Sequence, residues 1–175
     1  LDHILDQWVD VLAQDYLNKG FVDWLSKLGR PLFKRFIADP SSADGIFSDY
    51  DMPNKAVRHV AQDPGLRTGL WRSVGHSSNA FFKESFIDEL AQRAGIDELQ
   101  FRLANMKNNP RLTEATELVA AKAGWGKALP GGHFHGLATH SSFGSAVAQI
   151  AEVSVEGTKI VVHKVTAAIH CGLVV

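Results

Sequence analysis

Near Gly136 the chain changes its hydrophobic period, and that change limits the possible folds more than any other feature. Before it, apolar residues recur at three- and four-residue intervals; after it, they alternate. Over residues 80–94, Phe82, Phe86, Leu90 and Ala94 recur every four positions, with Ile87 and Ala91 widening the stripe. This predicts an amphipathic helix closed by Gly95, with Glu89 and Arg93 as a favourably ordered i,i+4 pair. Asp97 followed by Gln100 reads as a capping box, and Ile96 with Phe101 as a hydrophobic staple. The second helix they open takes Leu99, Leu103 and Met106 as its buried face. A third helix is expected over 113–123, stopping at Gly124. Beyond Gly136, Val147, Gln149, Ala151, Val153 and Val155 alternate with Ala148, Ile150, Glu152, Ser154 and Glu156. Gly157-Thr158 then turns the chain into a Val- and Ile-rich run over 159–169, a hairpin pattern. Helices followed by strands predict an α+β fold, with central helices packed on a sheet that contains antiparallel strands.

Upstream, Ile4, Leu5, Trp8, Val9, Leu12, Ala13, Tyr16 and Leu17 recur at helical spacing, and Gly20 is a plausible stop. Short helices are expected over 21–28 and 31–37, with Pro31 at a first helical position. The polar run ADPSSADG over 38–45 is the best linker. It divides the chain into a helical segment, 1–43, and a second region, 44–175. A short strand over 56–61 and a turn at Asp63-Pro64-Gly65 follow. At 175 residues the chain is long enough for a real core, and 45% hydrophobic content with a net charge of −1 describes an ordinary globular protein. That balance gives no support for nucleic-acid binding, which leaves a basic stripe. No apolar run reaches the length of a membrane span. One Cys can form neither an internal disulfide nor an iron–sulfur site by itself.

Several side chains invite a chemical reading. In Gly69-Leu70-Trp71-Arg72-Ser73-Val74-Gly75-His76-Ser77-Ser78-Asn79, an obligate cation and small polar residues lead into a helix. Backbone N–H groups at a helix start and a nearby Arg both favour an anionic ligand, whereas the plain alternative is a solvated or capping Arg. Trp71 is expected to be a core anchor. Glu84, Asp88 and Glu89 suggest a general base, but carboxylates along a helix are more often a solvated face, and they are expected to be one here. His133 and His135 in His-x-His spacing could aim two imidazoles to one side of a strand; without a third ligand, a loop leading into a strand is preferred. His170-Cys171 resembles a thiol beside a base, yet neighbours on a strand face opposite ways, so a buried, inert Cys171 is expected. Gln149 and Glu152 should fall on opposite faces of one strand.

The segment Trp71–Ser77, then Asn79-Ala80-Phe81, then residues 84–91 (ESFIDELA), resembles the large, molybdopterin-binding subunit of the xanthine oxidase superfamily. The nearest branch is the isoquinoline 1-oxidoreductase type with its related aldehyde dehydrogenases, which are bacterial. Further matching blocks stand in the same order: residues 50–54 (YDMPN), Phe101-Arg102-Leu103, Gly124-Trp125, Ser142-Phe143-Gly144-Ser145 with 147–153 (VAQIAEV), Val162-His163-Lys164-Val165, and 168–172 (AIHCG). They cover about residues 44–175.

The resemblance implies part of a molybdopterin-binding domain like that of aldehyde oxidase and xanthine dehydrogenase. It implies an internal piece of a longer polypeptide, since such large subunits are several times this length. Arg72, Ser73 and Gly75 are the implied cofactor-contacting residues, and Val74 the implied substrate-pocket position. Purine-oxidising relatives carry a stacking aromatic where Val74 stands. No catalytic residue is implied within the chain, because the family's Glu belongs to a Gly-Glu-Pro-like motif downstream. His170 departs from the family's Asp-Cys-Gly. The implied cofactor is molybdenum-molybdopterin, with the cytosine dinucleotide among its forms. The implied partner is a small subunit carrying [2Fe–2S] clusters, and the implied substrates are N-heterocycles or aldehydes, oxidised by water-derived hydroxylation. The competing expectation is a non-catalytic structural or subunit-interaction module of a divergent relative.

Overall fold

The computed structural model describes residues 43–46, 49–58 and 72–174. These fall into two compact units: 45–55 with 78–174, and a second unit of which 43–44, 56–58 and 72–77 are described. The expected helices over 1–37, most of the linker and the turn at 63–65 lie outside the described residues. So does Trp71. Within the expected strand over 56–61, Ala56, Val57 and Arg58 are exposed and carry no regular structure.

The larger unit is α+β. Its helices are α1 (His76–Ala94), α2 (Glu98–Ala104) and α3 (Pro110–Ala123). Strands β1 (His133–Ser142), β2 (Ser145–Glu156) and β3 (Lys159–His170) then form an antiparallel sheet in the order β1-β2-β3. Local signals account for the boundaries. Asp97 caps α2, its Oδ1 accepting from the backbone N–H groups of Leu99 and Gln100 at 3.0 Å each. Asn109 caps α3 and Pro110 takes the first turn, so α3 starts three residues before the expected position. Gly124 ends α3 in the left-handed conformation, φ 75°. Both hairpins use two-residue turns, Phe143-Gly144 and Gly157-Thr158.

Helix α3 buries Leu112, Ala115, Thr116, Val119 and Ala120, a stripe at i, i+3, i+4, i+7 and i+8 that lies on the sheet. Val119, Ala120 and Ala115 pack with Leu137, Ala148, Ile150 and Ala168 from the strands and with Leu99 from α2. Burying each large member contributes about 1.5–3 kcal/mol. A second cluster joins Tyr50, Ile87, Met106, Leu112 and Ala146. Among the described residues, the opposite sheet face has no layer on it. Cross-strand rows Phe134–Val153–Val162, Ala151–Val165, Val147–Ile169 and Val155–Ile160 line it. Phe134, Val155, Ile160, Val162, Val165 and Ile169 are all exposed.

Helix α1 corrects two expectations. It begins at His76, not near 80, and its Phe stripe is not its buried face: Phe82 and Phe86 are 57% and 58% exposed. The buried residues are Asn79, Lys83, Glu84, Ile87 and Ala91, a face rotated around the same helix. Lys83 and Glu84 can occupy it because each finds partners of opposite character within the larger unit.

Candidate functional site

Arg72, Ser73, Val74 and Gly75 form the turn that leads into α1, within the smaller unit. The turn is built on backbone geometry that ordinary residues avoid. Ser73 and Val74 have φ of 73° and 53°. A β-branched residue in the left-handed region is an outlier, and such residues cost of the order of 1–3 kcal/mol each. The turn is tied by the His76 N–H donating to Ser73 O at 3.0 Å and by Ser73 Oγ in contact with Ser77 Oγ and Arg72 O. Gly75 is buried, whereas Arg72 and Val74 are exposed. The arrangement presents a guanidinium on a constrained loop, which suits an anionic group placed beside it.

A second constellation, in the larger unit, was not legible as a site in the sequence. The Glu84 carboxylate, 4% exposed, receives donors only. Tyr50 Oη donates to it at 3.0 Å, Arg102 Nε at 3.1 Å and the Thr139 N–H at 2.9 Å. Tyr50 Oη also lies 2.9 Å from Thr139 Oγ1. Burial, then the negative charge of Glu84, push the Tyr50 phenol far above its ordinary range, so it stays a donor. Burial acts to lower the Arg102 value, but Tyr50, Glu84 and Asp88 outweigh it, and the guanidinium stays charged. Arg102 completes its set with Glu98 O, Glu84 O and a close contact of Nη1 with Asp88 Oδ1 at 2.7 Å. Beside this network Lys83 Nζ bridges Asp49 Oδ2 at 2.7 Å and His140 Nδ1 at 3.1 Å, and Asp49 also accepts from the Ser141 N–H.

The expectation of a solvated carboxylate face is thereby corrected for Glu84, which is interior, and for Asp88, which faces Arg102; it holds for Glu89, which is exposed. Both oxygens of Glu84 are engaged, so the network locks the 49–55 strap, α1, α2 and β1 together and offers no free base. The only hint in the sequence was an Arg set between Phe101 and Leu103 on a helix.

The remaining candidates separate. His133 and His135 stand in β1 itself, not in a loop before it, and on the same face. His133 Nδ1 lies 2.7 Å from Glu152 Oε1, and its ring stacks on His163 at 4.1 Å; the His135 ring stacks on Trp125 at 5.9 Å. No group of three or more His, Cys, Asp or Glu among the described residues is placed to hold a metal ion. Gln149 is exposed and Glu152 half-buried on the other face, as the alternation predicts. His170 does not pair with Cys171: Arg111 donates to its Nδ1 at 3.0 Å and to its backbone oxygen at 2.9 Å. Cys171 is exposed, contrary to the expected burial, because it follows the last residue of β3 and no described layer covers it. No described helix is long and apolar enough to cross a membrane.

The chain is similar to two curated oxidoreductase subunits. It is 27% identical over 157 residues to the beta subunit of isoquinoline 1-oxidoreductase from Brevundimonas diminuta, a match covering 86% of this chain and 20% of that protein. It is 34% identical over 76 residues to the B subunit of nicotinate dehydrogenase from Pseudomonas putida, covering 43% of this chain and 6% of that protein. The chain therefore spans about a fifth or less of the relatives it matches. No family model and no solved structure matches it. The similarity supports an oxidoreductase family of multi-subunit enzymes.

Proposed function

We propose that this chain is part of the large subunit of a molybdenum hydroxylase of the isoquinoline 1-oxidoreductase type, and that residues 72–75 face its molybdopterin. The observation that carries the reading is the similarity to the isoquinoline 1-oxidoreductase beta subunit along 86% of the chain. The strained turn at Ser73 and Val74 supports it, because strain of this kind gathers where a ligand is held.

The residues of the turn fit the group. Protein needs to supply orientation and charge, and Arg72 has both to give. When bound, molybdopterin supplies a metal able to accept two electrons from an electron-poor carbon centre. Arg72, exposed on the turn, would offer the bound group a permanent cation with fixed donors, which favours developing negative charge. Val74, exposed and without a flat ring, shapes the substrate side and admits an N-heterocycle or an aldehyde without stacking on it. Under this reading the general base would come from outside residues 72–174, and a small subunit carrying [2Fe–2S] clusters would be the electron-accepting partner.

Arg72→Ala and Arg72→Lys in the assembled enzyme test the role of the turn. Both should keep molybdenum, while turnover falls on the order of a hundredfold or more in Arg72→Ala. Arg72→Lys should recover a small part of it, since an ammonium restores charge but not the fork of donors. Wild-type turnover in Arg72→Ala would remove Arg72 from the site.

A second reading has its own observation: the uncharged outer face of the sheet, with Val162, Val165 and Ile169 exposed, suits an interaction layer. A well-assembled parent that binds no molybdenum would favour it.

A further inference from the structure

At the end of the sheet where β1 begins, three strands contribute to one small cluster that the proposed chemistry does not use. His133 comes from β1, Glu152 and Ser154 from β2, and His163 from β3. The register explains how the outer strands meet. Glu152 pairs with Lys164 and Val153 with Val162, so His163 is the extra residue of a β-bulge. The bulge turns His163 onto the face that carries His133, Glu152 and Ser154. Ser154 stands between the two histidines in the middle strand, opposite His133. Because it is small, the rings close over it and stack at 4.1 Å with 14° between their planes. His133 Nδ1 is held by Glu152 Oε1 at 2.7 Å and His163 Nε2 by Ser154 Oγ at 2.8 Å. Ser154 is left buried beneath them.

We propose that His133, His163 and Glu152 form a proton-operated clasp that joins the outer strands at this end of the sheet. A single proton on the pair is answered by the Glu152 carboxylate, 2.7 Å from His133 Nδ1. The second has to be placed on a ring stacked against a cation, where like charges at this separation repel. The other charged groups of the surroundings do not relieve that repulsion. His135 of β1 and Lys164 of β3 flank Glu152 in register, and the Lys164 ammonium is a permanent cation over this range that brings no negative charge to the rings. Trp125, in the loop after α3, stacks on His135 and donates to Asp97 on its far side, which leaves Asp97 engaged. Glu156 pairs across the hairpin with Lys159. Glu152 is therefore the carboxylate that answers both imidazoles. The hydrogen bond from His133 holds it below the ordinary carboxylate range, so it stays ionised while the rings charge. The clasp is closed with one proton or none on the rings, and the second proton opens it.

Amide hydrogen exchange of the full-length parent, read by mass spectrometry from pH 7.5 down to about 5 and corrected for the pH dependence of the intrinsic rate, tests the clasp in the range where imidazoles charge. Protection at 133–136, 152–155 and 160–164 should fall tenfold or more, on the order of a local opening, while Thr139 and residues 112–120 hold. His163→Phe, which keeps a ring over Ser154 but cannot be charged, should keep its protection across the same range. Equal protection at both pH values in the wild type would overturn the proposal, whatever the variant does. An acid-induced loss of the same size in His163→Phe would overturn it too.

Discussion

Glu84 and Glu152 both accept from a cationic or cation-forming side chain in the same unit of the molecule, and they are built for different conditions. Glu84 lies in the interior with Arg102, Tyr50 and the Thr139 N–H around it. Its cation is permanent and its other donors are held neutral by burial, so no proton exchange near neutrality alters the set. Glu152 lies at the margin of the sheet and meets His133, whose charge is conditional. The lesson concerns where charge is safe. A network that holds strap, helices and strand together uses a permanent cation, whereas the clasp proposed at the sheet end uses imidazoles.

The comparison can be broken at its interior side first. Arg102→Met leaves the Glu84 carboxylate buried without its guanidinium and should destabilise the larger unit by about 3–5 kcal/mol in urea unfolding. Adding Glu84→Gln to it should recover a good part of that loss, because the penalty comes from the orphaned charge. If the double variant is as unstable as the single one, the network acts through packing alone. Tyr50→Phe keeps the ring but removes a donor to Glu84 and a partner of Thr139, with an expected loss of about 1–3 kcal/mol.

A smaller effect tests local structure between the two sites. Asp97→Ala removes the α2 cap and the acceptor of the Trp125 indole N–H, and should lose about 1 kcal/mol. The mildest change is at the margin. The depressed Glu152 value means its contribution is present above the ordinary carboxylate range and fades as pH falls through the lowered one. Stability curves of wild type and Glu152→Gln should therefore converge in acid and separate toward neutrality. Curves that stay parallel across that range would remove Glu152 from the acid response.

Much of this frame could be read from residue order. The caps at Asp97 and Gly124, the existence of α3 and the β2–β3 hairpin depend on local signals that tertiary packing reinforces. The buried face of α1 could not be read, because hydrophobic periodicity assigns Phe82 and Phe86 to the interior and Lys83 with Glu84 to water. Only the partners Asp49, Tyr50, Arg102 and Thr139, brought from distant positions, make the polar face the stable one to bury. The His133–His163 contact was equally out of reach, since it depends on a one-residue bulge in β3. The turn at 72–75 is the reverse case: its wording was conspicuous in the sequence, and its left-handed Ser73 and Val74 were not.

The most direct test of the molybdenum-hydroxylase reading is the metal and pterin content of the full-length parent, purified after co-expression with its small iron–sulfur subunit. Molybdenum and pterin stoichiometric with the large subunit are the predicted result. A correctly assembled, well-folded parent containing neither would contradict the account and leave the sheet's uncharged face as the better guide to what this chain does.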